Sequence, residues 1–462
     1  MTTQRMSRCD AVPLGSAQML ESFLERYDRH GRAIPVNFRE MVDWVPSGDR
    51  ATHFIHPYPA KLLRQIPAFF LANRLLSSPG QMVLDPFCGS GTVLLESVLH
   101  ERHCVGADAN PLARLIARVK ITRLTTSIAS SCLRGVLRRA KAYVHADVPN
   151  VVNLEYWFYP HVVNQLARLR RAVDQLQTEA ERDFFLVCFS ACVRRVSLAD
   201  PRVAVPVRLR SDQYPKDHVL YHSTNEHLAG LSSQDVFEVF ETIARANIAR
   251  LDALASLRSS SCDASVCSAD ARDLRDPASN ERRMNDGSID LIITSPPYLG
   301  AQKYVRASSL SLGWLGATEK ETLRQLEDQN IGREHFSLSK IANPPSTGLA
   351  AADERIRQIA RINPLRALIA ATYLAEMRAA FTESVRVLRP CGYLVLIAAN
   401  NFVCGKEFMT QRYLQHILEE LGLKTRLRLI DAIKSRGLMT RRNATASVIT
   451  REWALVLEKI RT

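Results

Sequence analysis

The sequence predicts an α/β protein: a doubly wound, mainly parallel sheet ending in an antiparallel strand pair, with a largely helical lobe inserted. Three observations predict it. Short apolar runs alternate with amphipathic helical stretches at both ends of the chain, as strand–helix repeats do. A glycine-rich turn joins one apolar run to a helix, and the next apolar run ends on an acidic residue. Between residues 121 and 260 the alternation stops, and stretches such as VVNQLARLRRAVDQLQ and DFFLVCFSACVRRV read as helix.

The elements follow in order. Met82–Asp85 reads as a buried strand, Thr92 to His100 as a helix, and Cys104–Asp108 as a second strand. Pro111 to Lys120 reads as a helix capped by Asn110, since a short polar side chain there accepts a free amide of the first turn. After the inserted lobe, Ala264–Asp270 and Ile289–Thr294 read as strands. Leu374 to Leu388 reads as an amphipathic helix stopped by an RPCG turn, then Tyr393–Ala398 as a strand and Glu407 to Leu421 as a helix. Two closing strands, around 426–433 and 447–457, lack a helix between them and so run antiparallel. The resulting division is an N-terminal helical extension (1–50), an α/β domain (51–120 with 261–462) and a helical insertion (121–260).

Charge narrows the partner. The 462 residues carry 61 Lys and Arg against 47 Asp and Glu, a net +14. The excess is concentrated: 17 against 7 from Arg114 to Arg210, and 8 against 1 from Leu421 to Arg451. Basic surface suits a polyanion, because neutralised phosphates release counterions. No membrane-length apolar run occurs; the ten uncharged residues from Phe184 to Val193 fall well short of the roughly 20 a span needs. The first 30 residues lack a signal-peptide core, so a soluble, cytoplasmic protein is expected. The ten cysteines form no CxxC pair. Cys188 with Cys192 and Cys262 with Cys267 read as buried free thiols, and no metal site is expected.

Two motifs carry chemistry. In LDPFCGSGTVLLES (84–97), Gly89 and Gly91 let the backbone approach a ligand, and the missing GxxxxGK[ST] excludes a phosphate loop. Asp108, seventeen residues after Gly91, is placed to accept both hydroxyls of a ribose. Asp270, in SADAR, could accept a proton from an adenine amino group. In DLIITSPPYLG (290–300), a buried strand delivers Ser-Pro-Pro-Tyr. Pro296 and Pro297 remove two backbone donors, leaving the Ser295 hydroxyl and the Pro296 carbonyl as acceptors. Two acceptors can hold the hydrogens of an aryl amine and localise its lone pair for attack on an electrophile.

DPFCGSGT, the acidic strand end and TSPPY together resemble the motifs of the class I, Rossmann-like amino-methyltransferases of DNA. The resemblance implies S-adenosylmethionine as cofactor, held by Asp85, Phe87, Gly89, Gly91, Asp108, Asp270 and Thr294. HPYPAK (56–61) is similar to the family's HPTxKP element, with one extra residue before the lysine and no second proline. It adds His56, Tyr58 and Lys61 to the cofactor set. The resemblance further implies that Ser295, Pro296, Pro297 and Tyr298 form the catalytic loop. Tyr298 would stack on a base flipped from the duplex, a step costing a few kcal/mol. Members with Ser in the first motif position mostly methylate cytosine N4; those with Asp or Asn mostly methylate adenine N6, the alternative here. An RNA base amino-methyltransferase and a catalytically silent DNA-binding homologue are the competing readings. Double-stranded DNA is the implied partner, alongside a cognate restriction endonuclease or defence system. A carbon-5 mechanism needs a nucleophilic thiolate, and Pro390-Cys391 lies in a turn with no Gln following. Lys303, Tyr304 and Arg306, just after the catalytic loop, are candidates for gripping DNA. So are Arg194 and Arg195, the RLRR run (Arg168, Arg170, Arg171), and Arg441 with Arg442.

Overall fold

A computed structural model describes residues 14–461 apart from 47, 60, 259–260, 269, 277, 301–303, 321, 337–344 and 434–448. One eight-stranded sheet organises the chain. Its strands are β1 (Ile34–Val36), β2 (Met82–Asp85), β3 (His103–Ala107), β4 (Ala264–Ser268), β5 (Ile289–Thr294), β6 (Leu388–Ala398), β7 (Leu423–Ala432) and β8 (Arg451–Lys459). The spatial order is β1-β7-β8-β6-β5-β2-β3-β4. All neighbours are parallel except β8, which is antiparallel to both β6 and β7.

From β2 the chain winds outward through β3 and β4, then returns to place β5 on the other side of β2. The β2–β5 seam is therefore the topological switch point, where loops diverge and leave a crevice at the strand C-termini. The central strands are buried on both faces, and Val83, Leu84, Leu291, Ile292 and Ile293 are fully enclosed.

The structure departs from the sequence reading in two places. The 1–50 segment is not only helical: Leu14–His30 is a helix, but β1 follows and pairs in parallel with β7. The two closing strands are antiparallel as expected; β8 inserts between β6 and β7, and β1 forms the edge. RPCG is not a turn. The preceding helix begins earlier, at Pro364, and runs to Val387; β6 starts at once and includes those four residues. The pairing slips between Ile289↔Leu388 and Leu291↔Tyr393, with Cys391 left-handed at φ 57° and Arg389 bound to Asp290 at 2.8 Å. A bulge thus absorbs the Pro-Cys-Gly residues within the strand.

Between residues 126 and 257 the regular elements are helices joined by loops, with an isolated bridge between Ala199 and Arg208 in one of those loops. The helices share one core with Leu112 and Ile116 of the helix Pro111–Lys120 and with Leu310, Leu312 and Trp314 beyond the SPPY loop. Trp314 is fully buried, edge-on to Phe158 at 5.8 Å and Phe189 at 6.1 Å. No helix among the described residues is long and apolar enough to cross a membrane.

Candidate functional site

The two motifs meet at the switch point. β2 ends on Asp85 and β5 on Thr294, 209 residues apart in sequence, and the buried Thr294 hydroxyl donates to Asp85 Oδ1 at 2.7 Å. The same oxygen accepts from the Phe87 amide at 3.1 Å, which folds the chain back into the glycine loop. Burial pushes the Asp85 carboxyl up to about 7, against the pull of these two donors.

Gly91 then turns the loop into the helix Thr92–Leu99. Its φ of 76° is left-handed, and a Cβ there would lie 2.9 Å from the Ala117 backbone. Gly106, in the middle of β3, was not singled out by its motif, yet an added Cβ would stand 2.9 Å from both Cys88 and Leu94. The loop thus nests against β3 only because that strand carries no side chain there. Asp108 follows β3: Oδ2 accepts from the Gly89 amide at 2.9 Å and Oδ1 from Asn110 at 2.8 Å. Burial raises this carboxyl as well, opposed by those two amides.

Two acidic side chains at the glycine loop, Asp85 buried and Asp108 partly buried, favour a ligand rich in donors and disfavour a phosphate. An amino-acid nucleoside, with an ammonium and ribose hydroxyls, fits that demand.

Asn110 caps the helix Pro111–Lys120 by accepting from Leu112 N at 3.0 Å. Its amide nitrogen donates to the Tyr58 hydroxyl and to Ser308 Oγ, each at 3.2 Å. One residue therefore ties HPYPAK, the second strand end and the segment beyond the SPPY loop together. As an N-cap it was legible; as a junction it was not, because both partners are remote. Lys120, fully buried, donates to Ser90 of the glycine loop at 3.3 Å, and burial holds its amine well below the usual lysine range.

The other expected site residues sort unevenly. Tyr58 is buried beside Asp108, Asn110 and Tyr304. His56 instead pairs its Nε2 with Ser190 Oγ at 3.0 Å, on the helix Glu179–Arg195, and burial lowers the ring to about 3, keeping it neutral. Lys61 donates to the carbonyls of His53 (3.1 Å) and His56 (2.6 Å), pinning the turn of its own segment. Asp270 is gripped through both oxygens by Arg272 at 2.9 Å, so its carboxylate is already shared. Ser295, Pro297 and Tyr298 are partly buried and Pro296 is buried at the head of β5. The Tyr298 phenol does not end in open space: it donates to Glu452 Oε1 at 2.5 Å. Nothing in the sequence marked Glu452.

Several basic residues read as phosphate contacts are committed elsewhere. Arg168 donates to the carbonyls of Ala140 and Lys141, and Arg171 to that of His145; these lie at and beyond the C-terminus of the helix Thr126–Ala142. Free carbonyls at a helix end attract cations, so these side chains lock helix to helix. Arg170 binds Asp174 at 3.0 Å and the Trp314 carbonyl. Arg194 holds the carbonyls of Asp200 and Val203 at 2.8 and 2.7 Å. Arg195 and Arg306 are exposed, and Tyr304 is partly buried among the phenols of Tyr58, Tyr298 and Tyr373. Lys303, Arg441 and Arg442 lie outside the described residues. Nine cysteines are free among the described residues, and no group of three or more His, Cys, Asp or Glu there could hold a metal.

Residues 44–118, spanning HPYPAK, the glycine loop and Asp108, match the family model described as DNA methylase. The Type II methyltransferase M.MvaI of Kocuria varians is 23% identical over 377 residues, 76% of this chain and 77% of the relative. Together these support a DNA amino-methyltransferase. M.MjaII of Methanocaldococcus jannaschii, also a Type II methyltransferase, is 32% identical over 91 residues, 20% of this chain and 17% of that one. A solved SAM-dependent methyltransferase from Methanosarcina mazei is 10% identical, covering 84% of this chain and 97% of its own, with a TM-score of 0.30. S-adenosylmethionine is the cofactor supported for this family.

Proposed function

We propose that this protein transfers a methyl group from S-adenosylmethionine to the exocyclic N4 amino group of cytosine in duplex DNA, by base flipping. The observation that carries the reading is the Thr294–Asp85 contact, which sets the SPPY loop beside the glycine loop. Bound at the glycine loop, the cofactor supplies an electrophilic methyl group. Asp85 and Phe87 would face its methionine portion, with Asp108 and the backbone of Gly89 and Gly91 at the ribose. The Ser295 hydroxyl and the Pro296 carbonyl accept the two hydrogens of the target amine, turning its lone pair toward the methyl group. Pro297 holds the loop rigid, and Tyr298 offers a face to the flipped base. Serine in the first motif position favours cytosine N4 over adenine N6. Arg195, Arg306 and the net charge of +14 suit a DNA partner.

Expression in a methylation-free host, followed by mass spectrometry of DNA hydrolysates, is expected to give N4-methylcytosine. N6-methyladenine alone would move the target to adenine, and no methylated base in DNA would remove the reading.

Asp85 gives a pH signature. Its carboxyl is raised to about 7 by burial, so in the free protein it is largely protonated below that pH. A cationic amine beside it favours the charged form, and binding must then expel the proton. Cofactor affinity is expected to be flat above about pH 7 and to weaken toward roughly tenfold per pH unit below it. The fold alone carries the opposite sign. A raised carboxyl stabilises the native state relative to neutral pH when the pH is below the unfolded value, and that contribution is lost as pH rises through about 7. Calorimetric titration from pH 5.5 to 8.5 checks the first effect; a flat profile would detach Asp85 from the amine.

A further inference from the structure

Glu452 reaches the SPPY loop because of the one reversed strand. β5 and β6 run parallel and bring their C-terminal ends to the catalytic edge. β8 runs the other way, so it brings its first residues there, with Trp453 opposite Ala398, the last residue of β6. From this position, two strands away from β5, Glu452 accepts a hydrogen bond from the Tyr298 hydroxyl at 2.5 Å.

The carboxylate stands where sheet energetics disfavour it. In the β7–β8 register it faces Asp431, itself buried, and like charges directly opposite destabilise a strand pair. Burial and Asp431 both raise the Glu452 carboxyl, while Tyr298 and Arg39 pull it down. The Glu452 side chain hydrogen-bonds to the phenol of the catalytic loop. A residue that breaks a local rule and hydrogen-bonds to the reacting loop fits a functional part better than a structural one.

We infer that Glu452 is a positioning residue for methyl transfer, holding the Tyr298 ring in the plane on which the target base stacks. The inference rests on the reading of Tyr298 as the base-stacking residue. The loop backbone anchors one end of the ring and Glu452 the other, so the phenol cannot swing out of register before the base arrives. Ser295 also hydrogen-bonds to the phenol, so the same ring fixes the hydroxyl expected to accept the amine hydrogen.

The test compares Glu452→Ala, Glu452→Gln, Tyr298→Phe and the double variant Glu452→Ala/Tyr298→Phe, reading DNA methylation rate and cofactor Kd. Glu452→Ala is expected to lower kcat about 10- to 100-fold with cofactor Kd within twofold of wild type. Glu452→Gln, whose amide oxygen still accepts from the phenol, should recover most of the loss. Tyr298→Phe should match Glu452→Ala, and the double variant should be no slower than either single one. An unchanged kcat in Glu452→Ala, a multiplicative double variant, or a loss seen equally in cofactor Kd would each overturn the inference. A wild-type protein that methylates no DNA would instead overturn the functional reading beneath it.

Discussion

Replacing Ser295 by alanine is expected to lower methyl transfer about 10²- to 10³-fold, the range found when one preorganised polar contact to a reacting centre is removed. The change is small in every other respect. Ser295 is only partly buried at the end of β5, and the contact that anchors the strand end belongs to Thr294 and Asp85. Alanine keeps the backbone and leaves no large cavity. Stability should therefore shift by less than about 1 kcal/mol, and cofactor affinity should hold. The loss should fall on kcat with little change in KM, because the hydroxyl acts on the amine as its lone pair localises rather than on ground-state binding. Single-turnover methylation beside cofactor titration separates these effects. Near-normal turnover in Ser295→Ala would sink the assigned chemistry.

Asp108→Ala should act on the other half of the site. Its carboxylate is held by the Gly89 and Asn110 amides at 2.9 and 2.8 Å, leaving further lone pairs for ribose hydroxyls. A hydrogen bond to a charged group contributes about 1.5–3 kcal/mol, so cofactor Kd should weaken roughly 10- to 100-fold. Alanine also strips the Gly89 amide of its acceptor and loosens the loop, so stability should fall by about 1–3 kcal/mol. Asp108→Asn, which keeps one acceptor oxygen, should lose less on both counts. Isothermal titration of the folded variants, with melting curves as a control, decides the matter. Unchanged cofactor affinity in Asp108→Ala would remove the ribose assignment.

Both experiments concern residues that were legible in the sequence, and the reason is local. Met82–Asp85, Pro111–Lys120 and Ile289–Thr294 occur as elements where their patterns place them. Each is bounded by signals that act within a few residues: a left-handed glycine, an Asn-Pro cap, a pair of prolines. Asp85, Asp108 and Ser295 follow those boundaries directly, so finding the strand end finds the residue.

The arginines show where that logic stops. RLRR reads the same whether its guanidinium groups face phosphate or helix-end carbonyls, since both are clusters of acceptors. The approach of the helix Thr126–Ala142 and the segment beyond it is what gives Arg168 and Arg171 carbonyl partners. The same holds for His56, whose neighbour Ser190 lies 134 residues away. The sequence by itself determined the α/β class, the glycine loop and the SPPY strand end, all products of short-range backbone preference and apolar patterning. The tertiary structure alone decided that β1 forms the sheet edge, that β8 inserts between β6 and β7, and that Glu452 thereby meets Tyr298. Strand pairing and the reach of a charged side chain depend on which distant segments are brought together, and no pattern of neighbouring residues encodes that.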